Sequence, residues 1–289
     1  MEPANPFVQY HGGVRRAHCE RLPPPLPHQR YGEGKPLRLL SFNVQVGNST
    51  RHYRHYLTRC WQHLLPHSQR LGALQQIAGL LRHYDLVALQ EVDGGSLRSG
   101  YLNQIEYLAQ QGGFPYWYQQ LNRNMGRLAQ HSNGLLSRLE PESLEDHKLP
   151  GLIPGRGAIV SRYRIGDNQL LVVMMHLSLS RRSRNRQLGY VRELMSDASH
   201  TVLMGDMNAP AVRLLERSPL EGCGLLAAHN GMPTFPSWRP TRDLDHILVS
   251  PGICVDKVDV LDFPLSDHLP VALELRLATP AAEEGWATG

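Results

Sequence analysis

Residues 200–210 read HTVLMGDMNAP, an apolar run that ends in a carboxylate and a carboxamide. The apolar residues are typical of a buried strand, which Gly205 interrupts and Pro210 ends. Side chains two positions apart in an extended segment face the same way, so we expect Asp206 and Asn208 to project toward one ligand. The carboxylate can accept a proton or orient water, and the carboxamide can donate to a phosphoryl oxygen. The alternative is a turn closed by the aspartate side chain.

Other apolar runs also have polar side chains at their ends. These are Asn43 in LRLLSFN, Glu91 after DLVALQ, His176 in QLLVVMMH, Asp245 before HILVS, and Asp267 and His268 before PVALELRL. Such groups can ligate a hard cation, bind phosphate or transfer protons. If the strands lie side by side, their ends meet at one rim, where a rigid sheet can hold a site.

The pattern of apolar runs predicts an α/β fold. Strands are predicted at 38–43, 85–90, 133–137, 157–163, 169–176, 201–205, 246–250, 254–261 and 270–277, and helices at 68–84 and near 101–111 and 184–198. Many strands with few helices favour two packed sheets with helices outside. Periodicity alone does not fix the topology.

Composition is that of one globular domain. The chain has 289 residues, of which 41% are hydrophobic and 19% charged, with a net charge of +4. We predict a proline-rich arm (1–36), one domain (37–278) and a flexible tail (279–289). The cysteines are scattered, and the sequence has neither a signal pattern nor a long apolar stretch. These features favour a cytoplasmic protein without a transmembrane segment. We expect the protein to be a monomer.

Several motifs follow one another along the chain: SFNVQ, LQEVD, HSNGLLSR, MMHLSLS, GDMN, RDLDHILVS and LSDHLP. This ordered set resembles the endonuclease/exonuclease/phosphatase superfamily, which includes deoxyribonuclease I, exonuclease III, neutral sphingomyelinases and inositol polyphosphate 5-phosphatases. The resemblance runs from about residue 38 to 277. It implies a DNase I-like, four-layered α/β sandwich of two mostly antiparallel sheets flanked by helices. It also implies hydrolysis of a phosphate ester with a divalent metal.

The resemblance also implies a metal site and a substrate contact. Glu91 would be the principal ligand of Mg²⁺, for which Mn²⁺ could substitute, with Asn43 beside it and Asp267 in the outer shell. A single carboxylate with waters and substrate phosphate is a common way to hold Mg²⁺. Asn133 would contact the phosphate or another residue of the site.

The catalytic roles implied by the resemblance complete the set. Asp206 would orient or deprotonate the attacking water, and Asn208 would bind a phosphoryl oxygen. Asp245 would hold the imidazole of His268 in its protonated form, so that it can stabilise charge on the phosphate. His176 would be a second histidine at the phosphate. The resemblance leaves open which group is the general base.

Three functions remain open at this stage. A phosphoesterase would act on a compact ester, such as a lipid headgroup or a soluble metabolite, whereas a nuclease would act on DNA or RNA. The modest net charge favours the phosphoesterase. So does the position of Trp238, well before Asp245, because abasic-site endonucleases usually carry a Trp-Arg-x-Asp pattern directly at this aspartate. The arginine-rich segment RRSRNR (181–186) favours the nuclease, unless it is simply a solvated helical turn. A binding protein without catalysis would lack Glu91, Asp206 or His268.

One histidine-rich segment suggests zinc. The candidate ligands are His52, His55, Cys60, His63 and His67. Pro66 separates the last two histidines, so they do not share an uninterrupted helix face, and the spacing matches neither a zincin nor a zinc finger. We therefore interpret the segment as a surface loop over the active site.

Overall fold

The computed structural model describes residues 14–21, 35–45, 68–96, 99, 101–124, 130–151 and 155–277. The zinc candidates at 52–67 and the predicted tail at 279–289 lie outside these residues.

The described residues form two seven-stranded sheets and four helices. The strands are β1 (Val14–Ala17), β2 (Glu20–Arg21), β3 (Leu37–Asn43), β4 (Leu86–Asp93), β5 (Tyr116–Asn124), β6 (Gln130–Ser137), β7 (Ser143–Lys148), β8 (Gly157–Ile165), β9 (Asn168–His176), β10 (His200–Asp206), β11 (Leu226–Ala227), β12 (Asp245–Val249), β13 (Ile253–Val260) and β14 (Val271–Leu277). The helices are α1 (Ser68–Leu81), α2 (Gln104–Gly112), α3 (Arg181–Leu194) and α4 (Ala211–Glu216). None of these helices is long and apolar enough to span a membrane.

Both sheets are mixed, with mostly antiparallel pairs. The first sheet has the order β1-β7-β8-β9-β10-β12-β11, and the second has the order β13-β14-β3-β4-β6-β5-β2. The parallel pairs are β9 with β10 and β3 with β4. In a parallel pair, the carboxyl ends of both strands lie at the same edge of the sheet, so each sheet brings two strand ends together.

Three apolar layers hold the two sheets and the helices together. The inner layer packs one sheet on the other, with residues such as Leu39 and Met174. On the second sheet, α1 and α2 contribute residues such as Leu74 and Leu108, and on the first sheet α3 and α4 contribute Leu188 and others. The order helix, sheet, sheet, helix confirms the predicted four-layered sandwich.

Each predicted apolar run forms a strand, whereas β1, β2, β5, β7, β11 and the short helix α4 were not predicted. The missed strands are short or half-polar: β7 reads SLEDHK, and β1 is mostly exposed. The residues of β1 and β2 belong to the predicted N-terminal arm. Here β1 pairs with β7 of the first sheet, and β2 pairs with β5 of the second.

Candidate active site

The polar strand ends come together at one edge of the sandwich, two from each sheet. The second sheet provides Asn43 at the end of β3 and Glu91 in β4, and the first provides His176 and Asp206 at the ends of β9 and β10. Asp206 is paired in register with His176 on one side and with Asp245 of β12 on the other. The pairing of β10 with β9 and β12 therefore fixes the backbone spacing of Asp206, His176 and Asp245.

Gly205 and Asn208 shape the end of β10. Gly205 has a φ of 141°, and a Cβ there would overlap the carbonyl oxygen of Met175 on β9. Asn208 has a φ of 52°, its backbone N–H donates to Asp206 Oδ1 at 3.0 Å, and its Nδ2 donates to Leu177 O at 2.9 Å. The expectation that Asp206 and Asn208 lie on one extended strand is therefore wrong, because the chain turns directly after Asp206.

Glu91 lies in a bulge of β4. The pairing of β4 with β6 shifts register between Leu89 and Val92, and Glu91 has a φ of 58°. Bulges next to active sites re-aim side chains, and a non-glycine residue in this region carries strain. The Glu91 side chain is 30% exposed, and its Oε1 lies 3.8 Å from His176 Nε2. The bulge therefore leaves a carboxylate oxygen accessible at the edge of the sandwich.

Asp206 is buried in the middle of the site. Its Oδ2 accepts a hydrogen bond from Asn43 Nδ2 at 3.1 Å, and it lies 3.4 Å from His176 Nε2 and 3.9 Å from His268 Nε2. Burial acts to raise the pKa of Asp206, but His268, His176 and Asn43 outweigh it and hold the pKa well below the ordinary range. Asp206 is therefore an ionised carboxylate at neutral pH.

His268 is held by Asp245. The distance between His268 Nδ1 and Asp245 Oδ2 is 2.7 Å, and Thr234 Oγ1 donates to the same oxygen at 2.6 Å. Burial acts to lower the pKa of His268, but the charges of Asp245 and Asp206 raise it to about 10. The imidazole is therefore protonated at neutral pH, with Nδ1–H bonded to Asp245 and Nε2 at 3.9 Å from Asp206 Oδ2.

The loop before β12 contributes residues that the sequence analysis did not identify. Besides the Thr234 bond, the Phe235 ring lies 4.9 Å from the His268 ring. Ser237 bonds through its N–H to Asp267 O and through its Oγ to Ser266 O. The loop has no periodic pattern, and the only signal was a cluster of hydroxyl and aromatic residues in TFPSW.

Asn133 is fully buried in a polar network. Its Nδ2 donates to Gln120 Oε1 at 3.0 Å and to Gly157 O at 3.3 Å. Its Oδ1 has no hydrogen-bond partner among the described residues. The amide thus lies next to the site and ties β6 to β8, while its contact with a substrate phosphate stays a prediction.

A cavity of about 390 Å³ opens beside these groups. Its walls include Glu91, Asn133 and His176, together with Arg156, which the sequence analysis did not identify. Burial lowers the pKa of the half-buried Arg156, while the charges of Asp206 and Glu91 oppose that shift. Arg156 stands between Gly155 and Gly157 just before β8, and these glycines were the only sequence signal for it.

The sequence as a whole matches the model of the Endonuclease/Exonuclease/phosphatase family over residues 40–268. The chain belongs to this family. No curated protein matches the sequence at a significant level.

Solved structures of this family have the same fold. An endonuclease/exonuclease/phosphatase from Beutenbergia cavernae is 20% identical with a TM-score of 0.65, and the match covers 84% of this chain and 72% of that one. A mannosyl-6-phosphatase from Bacteroides thetaiotaomicron is 18% identical with a TM-score of 0.58, covering 83% and 99% of the two chains. A humanized D. rerio TDP2 is 15% identical with a TM-score of 0.59, covering 83% and 99%. At such identities the likeness shows the fold alone.

Members of the family typically use divalent metals, so the donor groups of this chain can be compared with that requirement. One oxygen or nitrogen from each of Asp206, Asp245 and His268 lies within 4.8 Å of the others. Within this group, His268 Nδ1 and Asp245 Oδ2 are already bonded to one another at 2.7 Å.

Glu91 and Asp267 fit a cation better. Burial raises the pKa of Asp267 to about 6; His268 opposes this shift and the negative charge of Glu91 adds to it. Carboxylate oxygens are the donors that Mg²⁺ and Mn²⁺ prefer, and the charges of these two carboxylates act on one another. Asn43, at the end of the neighbouring strand β3, could add an amide oxygen. The donor set of the chain therefore suits a hard divalent cation.

Proposed function

We propose that the chain is a metal-dependent phosphoesterase that hydrolyses a phosphate ester by direct attack of water. The observation that carries this proposal is the position of the buried Asp206 between His176 and the Asp245-bound imidazolium of His268. An ionised carboxylate beside two imidazoles combines an acceptor for water with donors for phosphoryl oxygens. Such preorganised charge stabilises the transition state of phosphoryl transfer.

His268 and His176 would bind the phosphoryl oxygens. The protonated His268 donates through Nε2 and stabilises the negative charge that grows on the phosphate. We assign Arg156, which lines the same cavity as His176, to the same task, because a guanidinium forms paired hydrogen bonds with phosphate. Asn208 would add its second amide hydrogen, since the other is bonded to Leu177 O.

Asp206 would hold and orient the attacking water. A carboxylate with so low a pKa is a weak proton acceptor, and its value here lies in accepting a hydrogen bond from water in a fixed direction. The water oxygen forms a new P–O bond while the ester P–O bond breaks. One proton of the water is released, and the leaving oxygen takes up a proton. Because water is itself the nucleophile, no covalent enzyme intermediate forms.

Glu91, Asn43 and Asp267 would hold Mg²⁺ or Mn²⁺. When bound, the cation supplies positive charge to the phosphoryl oxygens and to the leaving group. The strained bulge at Glu91 is the local feature that aims its carboxylate toward this position. Asn43 also donates to Asp206, so it would link the cation to the water-orienting group.

We infer a compact phosphate ester as substrate, such as a lipid headgroup or a soluble phosphorylated metabolite. A cavity of about 390 Å³ lies at the small end of the range for ligand sites, which is roughly 300–1,000 Å³. The net charge of +4 is modest for a protein that binds duplex DNA. That a protein of the same fold is a mannosyl-6-phosphatase is consistent with a sugar phosphate.

A nuclease is the second candidate. The observation in its favour is the group of exposed arginines on α3, on α4 and directly after α4, namely Arg181, Arg182, Arg186, Arg213 and Arg217. Such a surface can bind a nucleic-acid backbone through its phosphates.

One substrate panel tests the function. Wild type would be assayed with Mg²⁺ on phospholipids, soluble phosphoesters, plasmid, single-stranded DNA and RNA, next to Glu91→Gln and His268→Ala. We expect His268→Ala to lower kcat by at least about a hundredfold, the scale of a lost charge-stabilising donor. His83→Ala, at an exposed histidine on the turn after α1, is the matched control and should keep full activity.

The metal assignment is tested in the same panel. Chelator should abolish hydrolysis, and Mg²⁺ or Mn²⁺ should restore it. Glu91→Gln should raise the Mg²⁺ concentration needed for half activity with little change in melting temperature. Full activity after chelation excludes the metal, and a folded protein that binds but hydrolyses no ester on the panel is a binding protein instead. Rapid, His268-dependent and salt-sensitive nicking of plasmid would establish the nuclease.

A further inference from the structure

A second cavity, of about 170 Å³, lies between α3 and α4. We refer to it as the arginine cavity. Four arginines line it, Arg181 and Arg184 from α3 and Arg213 and Arg217 from the region of α4, with Asn185 and Ser218 adding polar groups. Leu188, Ala209 and Leu214 complete its lining. Four arginines around so small a concave site have the chemistry of an anion site.

Among the described residues, no ion pair neutralises the arginines of the arginine cavity. The ion pairs among the described residues involve other arginines, for example Arg164 with Glu142 and Arg276 with Asp256, and none involves the four arginines of the cavity. Burial lowers the pKa of Arg184, and the like charges of Arg213 and Arg181 lower it further. Like charges that face one another across a cavity are destabilising unless an anion lies between them.

Arg184 connects the arginine cavity to the active site. The side chain is buried, and its Nη1 donates to the carbonyl oxygens of Ser178, Leu179 and Asn208 at 3.0–3.2 Å. Its Nε and Nη2 have no hydrogen-bond partner in the part of the chain that the structure describes. Ala209, three residues after Asp206, lines the cavity, so the cavity lies next to the segment that carries the proposed water-orienting carboxylate.

We propose that the arginine cavity binds a second phosphate group of the substrate, one that is not hydrolysed. This inference rests on the proposed function, since it assigns to the substrate at least two phosphates, one at His176 and His268 and one between α3 and α4. Hydrogen bonds to backbone carbonyl oxygens fix the position of the Arg184 side chain. The other three arginines, Arg181, Arg213 and Arg217, are exposed and contact the phosphate from the rim of the cavity. The substrate class narrows to esters with two or more phosphates.

The test compares two variants with the same change in charge. Arg181→Gln with Arg213→Gln removes two exposed arginines of the cavity. Arg182→Gln with Arg186→Gln removes two exposed arginines of the same α3 that do not line it. Inorganic pyrophosphate is the probe, and its binding would be measured by calorimetry in chelator at fixed ionic strength. We expect the dissociation constant to rise by about tenfold or more in the cavity variant and to stay near wild type in the control.

A kinetic arm tests whether the bound phosphate belongs to a substrate. The thymidine dinucleotide with one internal phosphate would be compared with the same dinucleotide carrying an additional 5′-phosphate. Wild type should have the lower KM for the second compound. The cavity variant should lose this preference, whereas the Arg182→Gln, Arg186→Gln control should keep it.

Each outcome decides between the two proposals. Equal losses in both variants would show a general effect of charge and overturn the site. Unchanged pyrophosphate binding in the cavity variant would overturn it as well. If pyrophosphate binding responds as expected but neither dinucleotide is hydrolysed, the anion site stands, and the proposed function has to be judged on the other esters of the substrate panel.

Discussion

Asp245 Oδ2 holds two partners at once: His268 Nδ1 at 2.7 Å and Thr234 Oγ1 at 2.6 Å. The other oxygen, Oδ1, is buried and has no partner among the described residues. Two hydrogen bonds to one oxygen fix the orientation of the Asp245 carboxylate, and burial keeps water from screening its charge. His268 therefore stays protonated at neutral pH, and hydrogen bonds connect Thr234 through Asp245 to this imidazolium at the proposed phosphate site.

Replacing Asp245 by asparagine should lower the pKa of His268. In the wild type, the protonated form persists until the pH rises through about 10, and activity that depends on it is lost above that value. Without the carboxylate, the largest contribution that raises the pKa is gone, so this loss should begin at a lower pH. The measurement is kcat against pH at saturating Mg²⁺, with His83→Ala as the control that should keep the wild-type profile.

The same pair predicts a non-additive double variant. Asp245→Asn should cost less than His268→Ala, and the two together should be little worse than His268→Ala alone, because Asp245 acts through the imidazole. If the two losses multiply, Asp245 has an independent role and the pairing is not the source of its effect.

Thr234 should matter through Asp245. Its hydroxyl donates to Asp245 Oδ2 and accepts from the backbone N–H groups of Leu244 and Asp245. Thr234→Val keeps the shape but removes the hydroxyl, so we expect kcat to fall by about tenfold, the cost of one lost bond to a charged group. Thr234→Ser should retain most of the activity. Equal losses in the serine and valine variants would point to packing of the methyl group as the cause.

The groups at strand ends could be predicted from the sequence, because each follows an apolar run that the structure confirms as a strand. Two parallel strand pairs end at one edge of the sandwich: β3 with β4 carries Asn43 and Glu91, and β9 with β10 carries His176 and Asp206. Each pairing places its two side chains next to one another. The pattern of apolar residues did not predict the sheet to which each strand belongs. Alternation and apolarity report burial, whereas the order of strands depends on contacts between distant segments.

Residues on irregular segments could not be predicted in the same way. Thr234 and Phe235 lie on a loop, and Arg156 lies between two glycines before a strand, so no periodic pattern marks them. The turn at Asn208 was open in the sequence, since an aspartate after a strand favours both continued extension and an aspartate turn. The bond from Asn208 N to Asp206 Oδ1 decides for the turn.

Gly205 should be essential for stability. A Cβ at its φ of 141° would be strained and would overlap Met175 O, in the parallel pair that positions His176 next to Asp206. We expect Gly205→Ala to lower the free energy of unfolding by about 2 kcal/mol or more. Gly79→Ala is the control, because this exposed glycine of α1 has no atom within 4 Å of an added Cβ. It should stabilise by up to about 1 kcal/mol in a denaturant titration.

Arg156 should determine substrate affinity more than folding. It lines the cavity with Glu91 and His176, and the negative charges of Asp206 and Glu91 act on it. Arg156→Gln should raise KM and the inhibition constant of inorganic phosphate by about tenfold, the effect of losing a bond between charged groups.

Lysine at position 156 should restore only part of the affinity, because it keeps the charge but not the paired donors. Arg164→Gln is the matched control, since this exposed arginine of β8 pairs with Glu142 at the surface. It should leave KM, phosphate inhibition and melting temperature near their wild-type values. A lower melting temperature for Arg156→Gln with an unchanged inhibition constant would mean that the guanidinium only balances the charges of Asp206 and Glu91. A raised inhibition constant in a protein of normal stability would place it on the substrate phosphate.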